Sequence, residues 1–183
     1  KGHTVTLTRE PGGTPLAERI RDLLLDCREE SVAPLTELFL YEAARAQHVN
    51  AVILPALSRG EIVLCDRYVD STTAYQGAGR QVKEGTIVSL NRLAAGDAWP
   101  DHTFILDMPA DKGLQRARAR GSDDRMMTET LEFHQRIREE FLALANREPE
   151  RITIVDAGGS LETIQQDLRD QIDRIPKFND TLK

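Results

Sequence analysis

Residues 61–72 read EIVLCDRYVDST. Ile62, Val63, Leu64 and Cys65 suit a buried strand, and Asp66, Arg67 and Tyr68 follow with no turn residue between. An apolar strand running straight into a carboxylate and a guanidinium is the pattern of a parallel sheet, in which ligands bind at the carboxyl ends of the strands. Three more short apolar runs match it: TVTLT at 4–8, TFILD at 103–107 and ITIVD at 152–156. Helix-patterned segments separate them. The segment at 14–26 places Leu16, Ile20, Leu23 and Leu24 on one face, and the segment at 35–57 carries a stripe through Leu38, Tyr41, Arg45, Val49 and Val52. Further helices are predicted from residue 110, over 128–145, and over 160–172, the last opening on Ser160 as an N-cap. Alternating strands and helices predict an α/β fold, a parallel sheet with helices on both faces.

The chain has 183 residues, 40% hydrophobic and 30% charged, with a formal net charge of -6. That length supports one domain with a real core over residues 1–183. No Lys/Arg run is long enough to track a nucleic-acid backbone, and no apolar stretch reaches a membrane span. Cys27 and Cys65 show no metal spacing; Cys65 reads as a buried thiol and the pair as that of a reduced, cytoplasmic protein.

Four clusters carry candidate chemistry. Asp66 at its strand tip can hold Mg²⁺ directly or through water, or be a plain loop carboxylate; Arg67 beside it can fork onto a phosphate. TREPGGTPLAERIR at 8–21 also follows a strand: Gly12 and Gly13 permit unusual backbone angles, Thr14 can cap the next helix, and Arg9 and Glu10 stand at the same edge as Asp66 and Arg67, with Arg21 about two turns on. Tyr41 and Arg45 share a helix face that suits a planar heterocycle, by stacking and edge hydrogen bonds, or else an ordinary core stripe. RARARGSDDR at 116–125 reads as a lid bringing a cation to a transferring phosphate, or as a solvated charge run. None of the four histidines falls in these stretches.

With TREPGGTP, YEAARAQ, LCDRYVDSTTAYQGAGR and RARARGSDDR in view, the chain resembles the bacterial thymidylate kinases, P-loop nucleoside-monophosphate kinases that pass a phosphoryl group from ATP to dTMP. The resemblance implies that Arg67 and Arg21 hold the dTMP phosphate. Tyr41 stacks on thymine where the family usually has Phe. Arg45 bonds a base oxygen, with Thr72 and Gln76 helping to read the edge. Tyr75 packs under the sugar and disfavours a 2′-hydroxyl. Asp66 and Glu10 organise Mg²⁺ and its waters, Arg125 meets the ATP phosphates from a lid-like segment at 116–130 that also holds Arg120, and DAGGS at 156–160 lies near the adenine. A cytoplasmic homodimer is implied too. Phosphoryl transfer fits the residues, since it asks for positioning and charge neutralisation rather than a covalent nucleophile.

The family's glycine-rich phosphate loop, G-x-x-x-x-G-K-[ST], does not occur in these 183 residues. KGHTVTLT resembles the family's second strand and the turn before it. The expectation is that a preceding segment of roughly 30 residues, one βα unit, supplies the central first strand and the loop. In the family's 2-3-1-4-5 order, residues 61–65 and 103–107 then flank a slot, with edges roughly 9–10 Å apart in place of about 4.8 Å. Two other readings stay open: a different nucleoside-monophosphate kinase, against which DRY followed by STTAYQG speaks, and a nucleotide-binding fragment without catalysis. Arg45→Ala is expected to harm base discrimination more than folding.

Overall fold

The structure, a computed structural model, describes residues 2–26, 30–119 and 125–175. Strand β1 (Val5–Arg9) lies parallel to β2 (Ile62–Asp66), in register from Val5↔Ile62 to Arg9↔Asp66. Strand β3 (Thr103–Asp107) lies parallel to β4 (Ile152–Asp156), from Thr103↔Ile152 to Asp107↔Asp156. The first two strands begin and end one residue later than their apolar runs. The ladder carries them on, since Glu10 N–H donates to the Asp66 carbonyl at 2.9 Å, so Arg9 and Asp66 are strand residues themselves. Among the described residues the strands form two separate pairs, and β2 is not bonded to β3.

Nor are the strands covered on both faces. Register partners Leu7 and Leu64 point the same way and are 77% and 49% exposed; Leu106 and Ile154 are exposed as well. Alternation turns Thr8 and Cys65 to the other face, where helix α2 (Pro34–His48) presents His48 to Thr8. Cys65 is half-buried, and burial pushes its thiol up, so it stays protonated.

The two strand pairs are tied by side chains. Asp70, in the short helix α4 (Val69–Thr72), accepts from Arg151 Nη2 at 2.7 Å and Nη1 at 2.9 Å, and from Thr103 Oγ1 at 2.7 Å. Arg151 stands just before β4 and Thr103 opens β3, so one buried carboxylate joins the segment after β2 to the second pair. Arg92 and Arg151 also lie over the Trp99 ring, at 3.7 and 5.9 Å from its centroid.

Helix α1 (Pro15–Asp26) packs on α2. Its buried line runs through Ala17 and Leu24, both fully buried, and not through Leu16 and Leu23, which are exposed. Those two lie one position off the buried line, a shift the leucine count hides because Ala17, not a leucine, is the buried residue there. Of the stripe predicted over 35–57, Leu38, Arg45 and Val49 are buried, and Tyr41 and Val52 are half-buried. The run at 35–57 is three pieces: α2, a π-helical turn Val49–Ile53, and α3 (Leu54–Ser58). Downstream come α4 (Val69–Thr72), a π-helical turn Thr73–Gly79, α5 (Glu84–Ala95), α6 (Ala110–Ala119), a 3₁₀ turn Arg125–Thr128, α7 (Leu131–Arg147) and α8 (Leu161–Arg174). The Ser160 cap is present: its hydroxyl accepts from Thr163 N–H at 3.3 Å. No helix among the described residues is long and apolar enough to cross a membrane.

Candidate functional site

Two chain reversals build the site, one after each strand of the first pair. After β1, Thr14 caps α1 by accepting from Ala17 N–H at 3.1 Å. Gly13 has φ +82°, and a Cβ there would sit 2.6 Å from the His48 ring; backbone angle and close approach both demand glycine. After β2, Arg67 adopts φ 64°, a left-handed conformation that costs a non-glycine residue about 1 kcal/mol. The π-helical turn that follows, closed by Arg80 N–H on the Tyr75 carbonyl at 2.9 Å, carries Tyr75 and Gln76. Such turns recur at functional sites because the extra residue re-aims side chains.

Between these reversals lies an open cleft. It is lined by Glu10, Arg21, Tyr41, Arg45, Arg67, Thr72, Tyr75 and Gln76, with Met126 and Met127. Eight residues singled out in the sequence thus meet in one place. Asp66 stands at the end of β2, exposed, in register with Arg9. Arg125 is outside the lining: its Nη2 donates to Glu37 at 2.5 Å and its Nε to the Leu24 carbonyl at 3.0 Å. Arg120 lies outside the described residues, as does 120–124 of the lid-like stretch. Arg116 of that stretch donates to the Ala157 carbonyl at 3.1 Å.

The cations around the cleft fall into two sets. Arg45, Arg80 and Arg125 are each bound to carboxylates. Arg67 and Arg21 are not, among the described residues. Arg67 Nη2 donates to Tyr75 Oη at 3.2 Å, its guanidinium 4.9 Å from the ring centroid, and Arg21 Nη1 donates to the Pro11 carbonyl at 3.0 Å. Their charge is open to an anion.

Arg45 is 2% exposed and gives Nε to Glu10 Oε2, Nη1 to Glu42 Oε1 and Asn91 Oδ1, and Nη2 to Thr72 Oγ1, at 2.7–2.9 Å. Four of the guanidinium's five N–H donors are committed; the one left is on Nη2. Thr72, accepting there, keeps its own O–H to donate. Glu10 is equally occupied, its other oxygen 3.0 Å from His48 Nδ1, while His48 Nε2 lies 2.6 Å from Thr8 Oγ1. His48 is thus in the cluster, contrary to the sequence reading. The signal for it was its spacing, on the face of α2 that Tyr41 and Arg45 share. Burial, aided by the nearby Glu37 charge, pushes the Tyr41 hydroxyl up to about 12, so it stays neutral. Burial raises the Glu42 carboxyl as well, against Arg45, and its Oε2 has no partner among the described residues.

For a divalent cation, Asp66 offers an exposed carboxylate. Glu10 fits only through water, since both its oxygens already face Arg45 and His48. No group of three or more metal-binding side chains occurs among the described residues.

A protein-family description, "Thymidylate kinase", matches residues 1–168. The thymidylate kinase of Geobacter sulfurreducens is 48% identical over 96% of this chain and 86% of that protein. That of Pseudomonas fluorescens is 54% identical over 91% and 80%. The solved structure of thymidylate kinase from Ehrlichia chaffeensis superposes with a TM-score of 0.75 at 32% identity, covering 92% of this chain and 81% of that one. With the cleft and its open arginines, these likenesses place the chain in the thymidylate kinase family.

Proposed function

We propose that the cleft is where this chain, a kinase that phosphorylates dTMP to dTDP at the expense of ATP, holds its monophosphate. The observation that carries this reading is the pair of open cations: Arg21 and Arg67 line the cleft without carboxylate partners, whereas Arg45 and its neighbours are neutralised. The phosphate sits on that pair. Tyr41 takes the base face, the remaining Arg45 N–H, the Thr72 hydroxyl and Gln76 take its edge, and Tyr75 packs under the sugar and disfavours a 2′-hydroxyl. Calorimetry of dTMP and thymidine checks it. Arg67→Ala is expected to weaken dTMP by about 2–3 kcal/mol and thymidine hardly at all; equal losses would remove the phosphate role.

On the donor side, Asp66, with Glu10 through water, would hold Mg²⁺, which would supply charge neutralisation at the ATP phosphates. Arg125, with Arg120 in the lid-like segment 116–130 of a single 1–183 domain, serves those phosphates; for Arg125 that means leaving Glu37. Residues 156–160 flank the adenine. We infer a further parallel strand between β2 and β3, which would complete a 2-3-1-4-5 sheet and bring a glycine-rich phosphate loop. The unpaired strands and the exposed Leu64 and Leu106 support it. ATP-dependent dTDP formation by protein whose intact mass equals these 183 residues alone would refute it. Leu35 and Phe39, exposed one turn apart on α2, offer apolar surface to a second copy in a cytoplasmic homodimer, checked by light scattering.

A further inference from the structure

We propose that Glu37 is a positioning residue for base selection: its buried carboxylate fixes the Gln76 amide so that the NH₂ turns to α2 and the carbonyl oxygen to the cleft. The inference deepens the placement of the base edge beside Gln76 and rests on it.

Glu37 is fully buried in α2, one turn before Tyr41. Its Oε1 accepts from Gln76 Nε2 at 2.8 Å and from Arg80 Nε at 3.1 Å, and its Oε2 from Arg125 Nη2 at 2.5 Å. Burial works against the charge, but the bonds from Arg80, Gln76 and Arg125 outweigh it and hold the carboxyl below its usual range. An ionised carboxylate has no proton to give. Gln76, itself 1% exposed, can therefore meet Glu37 only through its NH₂, because a flipped amide would set two acceptors against each other. The carbonyl oxygen is left on the opposite side, at the cleft.

That oxygen matches a ring N–H and repels a bare ring nitrogen. The last Arg45 N–H, on the lining of the same cleft, matches a ring carbonyl. An acceptor and a donor in one cleft complement the N3–H and keto edge of thymine and oppose the corresponding edge of cytosine. Sites that leave a buried polar group mispaired reject the wrong ligand strongly. A neutral carboxamide in place of Glu37 could accept as well as donate, and would let Gln76 take either orientation.

The test compares kcat/KM for dTMP with that for 5-methyl-dCMP, which keeps methyl, sugar and phosphate but carries a bare N3. Glu37→Gln is expected to reduce the preference for dTMP at least tenfold, mostly through KM, and to change it no further in a Gln76→Ala background. An unchanged preference in Glu37→Gln, with Gln76→Ala losing it, overturns the role of Glu37 alone. An unchanged preference in Gln76→Ala overturns the placement of the base edge, and this inference with it. Should the single variant not fold because Arg80 and Arg125 lose the buried carboxylate between them, Glu37→Gln with Arg80→Gln puts the same question to the same ratio.

Discussion

Arg45 and Arg67 are both arginines at one cleft, and their surroundings give them opposite duties. Arg45 balances Glu10 and Glu42 inside the protein, with one donor to spare. Its truncation strands two buried carboxylates, so Arg45→Ala is expected to cost about 3–5 kcal/mol of stability, read by urea denaturation. That reverses the order the sequence suggested, in which base discrimination suffers before folding. Arg67 is exposed, free of carboxylates and held at φ 64°. Arg67→Gly relieves the backbone while removing the cation. Its melting temperature is expected to equal or exceed the parent's while dTMP affinity falls. A melting temperature several degrees lower would mean that the guanidinium also holds the loop through Tyr75.

The π-helical turn Thr73–Gly79 is the element that aims Tyr75 and Gln76, and α7 backs it. Tyr75 meets Phe133 and Phe141 edge-on, each with ring centroids 6.4 Å apart, and Phe133 is covered by Arg80 at 4.8 Å. Gly79 closes the turn against that packing, where a Cβ would lie 2.8 Å from the Phe133 ring. Phe133 is 3% exposed and has no room to yield. Gly79→Ala is expected to destabilise by about 1–3 kcal/mol, as overpacking does, and to raise KM for dTMP by displacing the turn. Phe133→Leu added to it should recover much of both. If KM stays fixed while stability drops, the turn and the site are mechanically separate.

Across the whole molecule, two buried carboxylates on α2 pull the pH dependence in opposite directions. Glu37 is held below its usual value of 4.5, so its stabilising share is present above that value and is lost as the pH falls through the folded pKa. Glu42 is held above 4.5, so its share is complete below that value and is lost as the pH rises through the folded pKa. Near neutral pH its unpartnered Oε2 is therefore a cost. Glu42→Gln keeps an acceptor for Arg45 and is expected to match or exceed the parent's melting temperature at pH 7, the difference shrinking towards pH 4. A variant markedly less stable at pH 7 would show that the Glu42 charge is needed to balance Arg45.

What the sequence determined by itself was local. Strand runs, the Ser160 and Thr14 caps, the glycines after β1 and the Tyr41–Arg45 face follow from periodicity and backbone preference over a few residues, and they hold in the structure. The motifs also marked eight residues that line the cleft. Only the tertiary structure decided which charges stay open. Glu37 meets Gln76, Arg80 and Arg125 from 39, 43 and 88 positions away, and His48 reaches Glu10 and Thr8 across 38 and 40. Local pattern cannot encode such pairings, because they depend on where the chain returns after each strand and helix. An arginine in a motif reads the same whether a buried carboxylate awaits it or not. Folding neutralised Arg45, Arg80 and Arg125 and left Arg21 and Arg67, among the described residues, without a carboxylate partner.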